Sequence, residues 1–198
     1  MSLEFISNEH MLFPTPLWQV QIKGVDNDAI KKYVYHLRDT TEGVVISNRG
    51  GWHSKDILEP IPEALENLFS NLQSFVNQYC AQITGLNQLK IGNFWFNINK
   101  PGNYNKLHNH RGSLISGVFY IDTPKDCGNI SFERYDDTQY YLPENLEKRT
   151  VITGSAVSFE AEKGVLLLFP SWLLHQVEPS QSQTPRISMS FNYNMKDE

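Results

Sequence analysis

A chain of 198 residues is the size of one domain or at most two small ones, and its 40% hydrophobic and 20% charged residues exclude wholesale disorder. Seventeen basic residues against 22 acidic ones give a formal charge of −5 with no basic block, which argues against duplex nucleic acid as a constitutive partner. The longest strongly apolar run, Val165 to Phe169, is far short of the roughly 20 residues a membrane-spanning helix needs, and the start is not that of a signal peptide, so a cytoplasmic protein without membrane association is expected.

Residues 12–22 end in alternation, Trp18, Val20 and Ile22 against Gln19 and Gln21, which predicts an edge strand entered through Pro14 and Pro16. Such an edge, with exposed aromatics, leaves room for a symmetric homodimer. Asp26-Asn27-Asp28 offers an N-cap, and Ile30, Tyr33, Val34 and Leu37 recur at helical spacing, predicting a helix over about 28–40 with His36 on its surface. The glycine-containing stretch 41–60 reads as a loop, in which Trp52 and His53 are candidates to touch substrate. From 61 to 84 the apolar positions Leu65, Leu68, Phe69, Leu72, Phe75, Val76 and Cys80 follow helical period and call for a flat packing partner.

After Gly85 the period changes to two. Short strands are predicted at 91–99, 114–121, 130–132, 156–159, 165–169 and 187–193, separated by turn signals such as Pro101-Gly102 and Lys163-Gly164. Two helices followed by many short strands describe a mainly β fold with flanking helices, a jelly-roll barrel buttressed on one face. One domain over 1–198 is expected, with the strand and supporting helices in about 1–88 and the barrel in about 89–198. Cys80 and Cys127, far apart and outside any C-x-x-C pattern, read as reduced, buried thiols.

Three of the six histidines fall in the β half: His108 and His110 in Leu-His-Asn-His, and His175 in Phe-Pro-Ser-Trp-Leu-Leu-His-Gln-Val. On a strand, positions i and i+2 share a face, so His108 and His110 would present two imidazoles side by side, half a metal site. The turn at Pro170-Ser171-Trp172 could return His175 to the same rim as a third ligand. Arg186 opens a strand on which Ser188, Ser190 and Asn192 share its face, and a cation with hydroxyls inside a barrel suits a carboxylate. The bland readings are a surface ion pair for Arg186, core packing for Trp95, Phe96, Phe119, Tyr120, Phe159 and Phe169, and solvated loops for Gly50 to Ser54 and Glu133 to Tyr141, segments otherwise suited to substrate contact.

His108-x-His110, then His175, then Arg186-x-Ser188 resembles the 2-oxoglutarate- and iron(II)-dependent oxygenases, over about residues 93–194. The segments His108 to Tyr120, Phe169 to Val177 and Arg186 to Asn192 are most similar to a branch with a His-x-His…His…Arg-x-Ser pattern. The resemblance implies a double-stranded β-helix and a dioxygenase, an oxidoreductase of the hydroxylase type. Iron(II) would be held by His108, His110 and His175. 2-Oxoglutarate would chelate it, with its distal carboxylate on Arg186 and Ser188, and Asn192 completes the co-substrate face. By similarity to the alkylation-repair members, Asn97 and, more weakly, Asn99 would also touch the oxo-acid. The partners implied are 2-oxoglutarate, O2 and an unidentified substrate, which is hydroxylated as succinate and CO2 leave. Most members carry a carboxylate where this chain has His110, and three imidazoles also hold zinc, copper or nickel. Two other readings therefore stand beside it: a three-histidine, cupin-like dioxygenase or hydrolase without 2-oxoglutarate, and a barrel that binds a ligand without turnover.

Overall fold

Alternating side chains on nearly every long strand force two apolar faces, and the chain satisfies both by building two sheets and a helical layer. The computed structural model describes residues 5–57, 60–86, 88–143 and 145–195. In chain order its elements are β1 (Trp18–Gln21), α1 (Asn27–Thr40), β2 (Asn48–Arg49), β3 (Trp52–His53), α2 (Glu63–Phe75), α3 (Ala81–Thr84), β4 (Leu89–Asn99), β5 (Tyr104–His108), β6 (Ile115–Asp122), β7 (Ile130–Glu133), β8 (Ala156–Phe159), β9 (Val165–Pro170), β10 (His175–Val177) and β11 (Arg186–Met195). A larger antiparallel sheet runs β1-β9-β6-β11-β4-β3, and a smaller one β2-β5-β10-β7-β8. This is a double-stranded β-helix, the mainly β fold with flanking helices expected from the sequence.

The odd positions Ile187, Met189, Phe191 and Tyr193 of β11 join Phe94, Phe96 and Ile98 of β4 under Ile30, Val34, Leu65, Leu68 and Leu72 of the helices. The even positions Arg186, Ser188, Ser190 and Asn192 face the other way, into the space between the sheets. There a second apolar cluster, including Val118, Ile130, Phe132, Leu167 and Phe169, closes the barrel.

α1 begins where expected because Asp26 caps it, its carboxylate accepting from the Ala29 N–H at 2.9 Å. α2 runs through a π-helical turn, Val76–Cys80, directly into α3. The buried positions Leu68, Leu72, Val76 and Cys80 recur every four residues, a spacing that drifts about 40° per step on an ideal helix. The wider π turn takes up that drift. Cys80 and Cys127 are free and buried.

Three features depart from the sequence expectation. The predicted loop 41–60 contains two short strands: β2 borders the smaller sheet and β3 the larger, so the intervening Gly50-Gly51 turn bridges them. Leu58 and Glu59 of that stretch lie outside the described residues. β5 and β10 went unpredicted as separate strands, and β5 is bulged. His175 pairs with His108 but Val177 pairs with Asn105, so the four residues 105–108 of β5 oppose the three residues 175–177 of β10. Among the described residues no helix is long and apolar enough to cross a membrane.

Candidate active site

The bulge in β5 aims two side chains into the barrel that strict alternation would separate: Asn105 and His108, three residues apart, both line the cavity between the sheets. His108 is the last residue of β5, and His110 lies just beyond the strand rather than on it. It is held there because its backbone N–H donates to Ser171 O at 2.9 Å. His175 opens β10 directly opposite His108. One ligand atom from each of the three imidazoles lies within 4.8 Å of the others, and the ring centroids are 5.3, 4.3 and 5.0 Å apart for the pairs 108–110, 108–175 and 110–175.

Each imidazole is oriented through Nδ1. His108 Nδ1 meets the Lys106 carbonyl at 2.7 Å and His175 Nδ1 the Leu173 carbonyl at 3.0 Å. His110 Nδ1 meets the side-chain oxygen of Asn192 at 2.7 Å. With Nδ1–H donating to an oxygen, each Nε2 keeps its lone pair, the arrangement that metal-ligating histidines require. Burial keeps all three neutral. It pushes His110 down to about 4 and His175 down to about 3, and it lowers His108 as well. Three neutral nitrogen donors converging on one point suit a divalent transition metal such as iron(II).

Arg186 lies in the same cavity, 2% exposed, at the start of β11. Its Nη1 donates to the carbonyls of Cys127 and Gly128 at 3.1 and 3.0 Å, while its Nε is buried without a partner. Among the described residues no carboxylate pairs with it, and burial lowers its pKa. A buried guanidinium in this state still has a donor and a charge to offer an anion. Tyr120 and Ser188 line the cavity with it. Burial pushes the Tyr120 phenol up to about 12, so it stays a hydrogen-bond donor. Neither iron nor an oxo-acid requires a group that the cavity lacks.

The other predicted residues divide by position along the strands. Asn97 lines the cavity, its Nδ2 donating to Ser190 Oγ at 3.4 Å and its Oδ1 buried without a partner. Asn99 is buried opposite Arg186 in the β4–β11 register but outside the cavity lining. Asn192 sits behind His110, outside the lining. His53 is buried and stacks on Trp95 at 5.6 Å, and Trp95 in turn lies 5.5 Å from His110, so His53 stands one ring away from the cavity. Neither Trp52 nor any described residue of 133–141 lines it, and Tyr135, Tyr140 and Tyr141 are exposed. Tyr120, Trp95, Asn105 and Ser47 do line it. For Tyr120 the available signal was the parity of β6, which sets Ser116, Val118 and Tyr120 on the barrel side.

The sequence profile of the family described as "Putative 2OG-Fe(II) oxygenase" matches residues 93–192, just over half of the chain. No curated protein matches. Among solved structures, a prolyl-4-hydroxylase from Pseudomonas putida superposes with a TM-score of 0.67 at 18% identity, covering 92% of this chain and 94% of the other. A prolyl hydroxylase from Trichoplax adhaerens, in complex with a hypoxia inducible factor oxygen degradation domain peptide, gives 0.66 at 15% identity over 89% and 82%. HygX from Streptomyces hygroscopicus, with nickel and 2-oxoglutarate bound, gives 0.57 at 12% identity over 92% and 83%. These likenesses share the fold, and the matched segment spans His108, His110, His175 and Arg186; the chain belongs to the 2OG-Fe(II) oxygenase family, enzymes that use iron(II), 2-oxoglutarate and O2 on a further substrate.

Proposed function

We propose that the chain acts as one domain that binds iron(II) on His108, His110 and His175 and seats the distal carboxylate of 2-oxoglutarate on Arg186, hydroxylating a substrate presented at the cavity mouth. The observation that carries this reading is the buried Arg186, with no ion pair among the described residues and its Nε without a partner, in the same cavity as three neutral, Nδ1-oriented imidazoles. A three-histidine enzyme that did without 2-oxoglutarate would leave that guanidinium without an anion.

Iron(II) and 2-oxoglutarate, when bound, would supply the oxidising chemistry: O2 is split between the two products, one oxygen atom going to the succinate left as CO2 departs and the other into the substrate C–H bond as a hydroxyl. The protein's own share is binding and exclusion. Arg186 offers charge-assisted hydrogen bonds to the distal carboxylate, with Ser188 and the Tyr120 phenol as further donors. Asn97 and Ser190 form the side of the channel between Arg186 and the histidines, and Val118, Ile130 and Phe169 keep it dry. A cavity of about 50 Å3 has no room for a large substrate, so the substrate's reacting bond has to be offered at the rim. Peptide hydroxylation is supported by the prolyl hydroxylases of the same fold. The cytoplasm, where thiols stay reduced, suits the two free cysteines.

Anaerobic titration of the metal-free protein with Fe2+ and then 2-oxoglutarate should produce the weak visible charge-transfer band of the chelate. In Arg186→Ala the band should need at least about 100-fold more 2-oxoglutarate, as expected for losing a buried charged pair worth roughly 3 kcal/mol or more. Iron binding with no band and no calorimetric heat from 2-oxoglutarate would remove the co-substrate from the reading.

A further inference from the structure

His110 differs from its two neighbours in what orients it. His108 and His175 lean on backbone carbonyls, whereas His110 leans on a side chain that is itself held by others. Asn192 Nδ2 donates to Asn93 Oδ1 at 2.9 Å, and Asn93 Nδ2 donates to Asp56 Oδ1 at 3.2 Å. Asn93 and Asn192 are direct cross-strand partners on β4 and β11, and Asp56 follows β3 at the exposed end of the line.

The line has a direction. An ionised carboxylate only accepts, so Asn93 must turn its NH2 to Asp56 and its carbonyl oxygen to Asn192. Asn192 must answer with its own NH2, which leaves Oδ1 as the atom facing His110. An amide oxygen only accepts, so the proton between them sits on His110 Nδ1, and Nε2 is left with its lone pair for a metal. The Ser116 hydroxyl, 2.8 Å from Asn192 Oδ1, 2.9 Å from His110 Nδ1 and 2.7 Å from Ser171 Oγ, rotates to suit and does not choose the tautomer.

We propose that Asp56 is a positioning residue for the metal site, acting through Asn93 and Asn192 to hold His110 in the Nδ1–H tautomer. The inference rests on the three-histidine reading above. It explains a line of three hydrogen-bonded polar side chains, none of which lines the cavity. Iron(II) and a 2-oxoglutarate dianion on three neutral imidazoles sum to zero charge, where a carboxylate ligand would leave −1. A polarised amide line ending on a carboxylate raises the basicity of the ring nitrogen that would face the metal.

The test uses the full chain with 15N-labelled histidine, read in two ways: ring-nitrogen chemical shifts of the metal-free protein, and Ni2+ affinity by chelator competition. Wild type should show one His110 tautomer, protonated at Nδ1. Asp56→Ala, an exposed substitution that spares the fold, should mix the tautomers and weaken Ni2+ binding about three- to ten-fold. Asn192→Ala should weaken it about 10- to 100-fold. Asn192→Asp puts an acceptor directly on Nδ1, so it should hold the tautomer and absorb the effect of Asp56→Ala in the double variant. Unchanged tautomer and affinity in Asp56→Ala overturn the proposal, and so does an Asp56→Ala loss that persists in the Asn192→Asp background. If wild type binds no Ni2+, the three-histidine reading falls, while the nitrogen spectra still report whether Asp56 sets the tautomer.

Discussion

A guanidinium at 2% exposure with no carboxylate partner among the described residues is a poor choice for stability alone, since an unpaired buried charge costs several kcal/mol and a hydrophobic residue would fit at less expense. Its retention between the sheets is intelligible if the partner arrives from solution. The imidazoles at the other end of the cavity carry a related cost, and it is visible in acid. Unfolded histidine titrates near 6.5, whereas His110 and His175 in the folded chain are pushed down to about 4 and about 3 by burial. Between pH 6.5 and about 4 the unfolded chain therefore binds protons that the folded chain refuses, so stability falls as pH falls. Above pH 6.5 that contribution is complete. In chelator-treated protein the decline should reach at most about 1.4 kcal/mol per pH unit for each of the two histidines, read as urea denaturation midpoints at pH 7 and pH 5. A flat profile would mean that these rings ionise freely in the folded state and are not held neutral for a metal.

At the level of elements, β6 and β11 carry the design, because one face of each packs under the helices while the other lines the barrel. At Gly117 on β6 that packing leaves no room for a side chain: a Cβ there would lie 2.5 Å from the Phe191 ring and 2.8 Å from Leu168. Phe191 is fully buried and pinned against Phe69, so it has nowhere to retreat. Gly117→Ala should destabilise by about 1–3 kcal/mol, as overpacking does, and a melting curve no lower than wild type would show that the core can yield. The same strands explain what was legible beforehand. Parity placed Arg186, Ser188, Ser190 and Asn192 on one face, and they do share it. Parity is silent on distance along the strand, however, and six residues span about 20 Å, longer than a five-carbon diacid. Asn192 therefore ends behind His110, where it orients an imidazole, while Arg186 and Ser188 meet the cavity. His110 was expected on a strand with His108, but β5 ends at His108, and the Ser171 carbonyl rather than sheet pairing fixes the next turn of chain. The bulge and the strand pair β5–β10 depend on which segments meet in space, and no local pattern encodes that meeting. α1 and α2 were legible because their periodicity and the Asp26 cap are local.

For the molecule as a whole, charge at long range and charge in the cavity pull in opposite directions. The chain carries −5 and its co-substrate is a dianion, so even with Fe2+ in place the approach is repelled until the ligand reaches the mouth. Under the proposed function Arg186 attracts it, but as a buried charge lining the cavity it acts on an anion that has already entered. Added salt screens the first interaction much more than the second, because the surface charges face solvent and the guanidinium does not. The association rate of 2-oxoglutarate with the iron-loaded protein should therefore rise with ionic strength, on the order of two-fold between 20 and 200 mM NaCl, with little change in the dissociation rate. Stopped-flow absorbance of the chelate under anaerobic conditions reads both rates. A rate that falls with salt would mean that a local positive field at the mouth outweighs the net charge, and the search for substrate would then turn to anionic molecules recruited by that field.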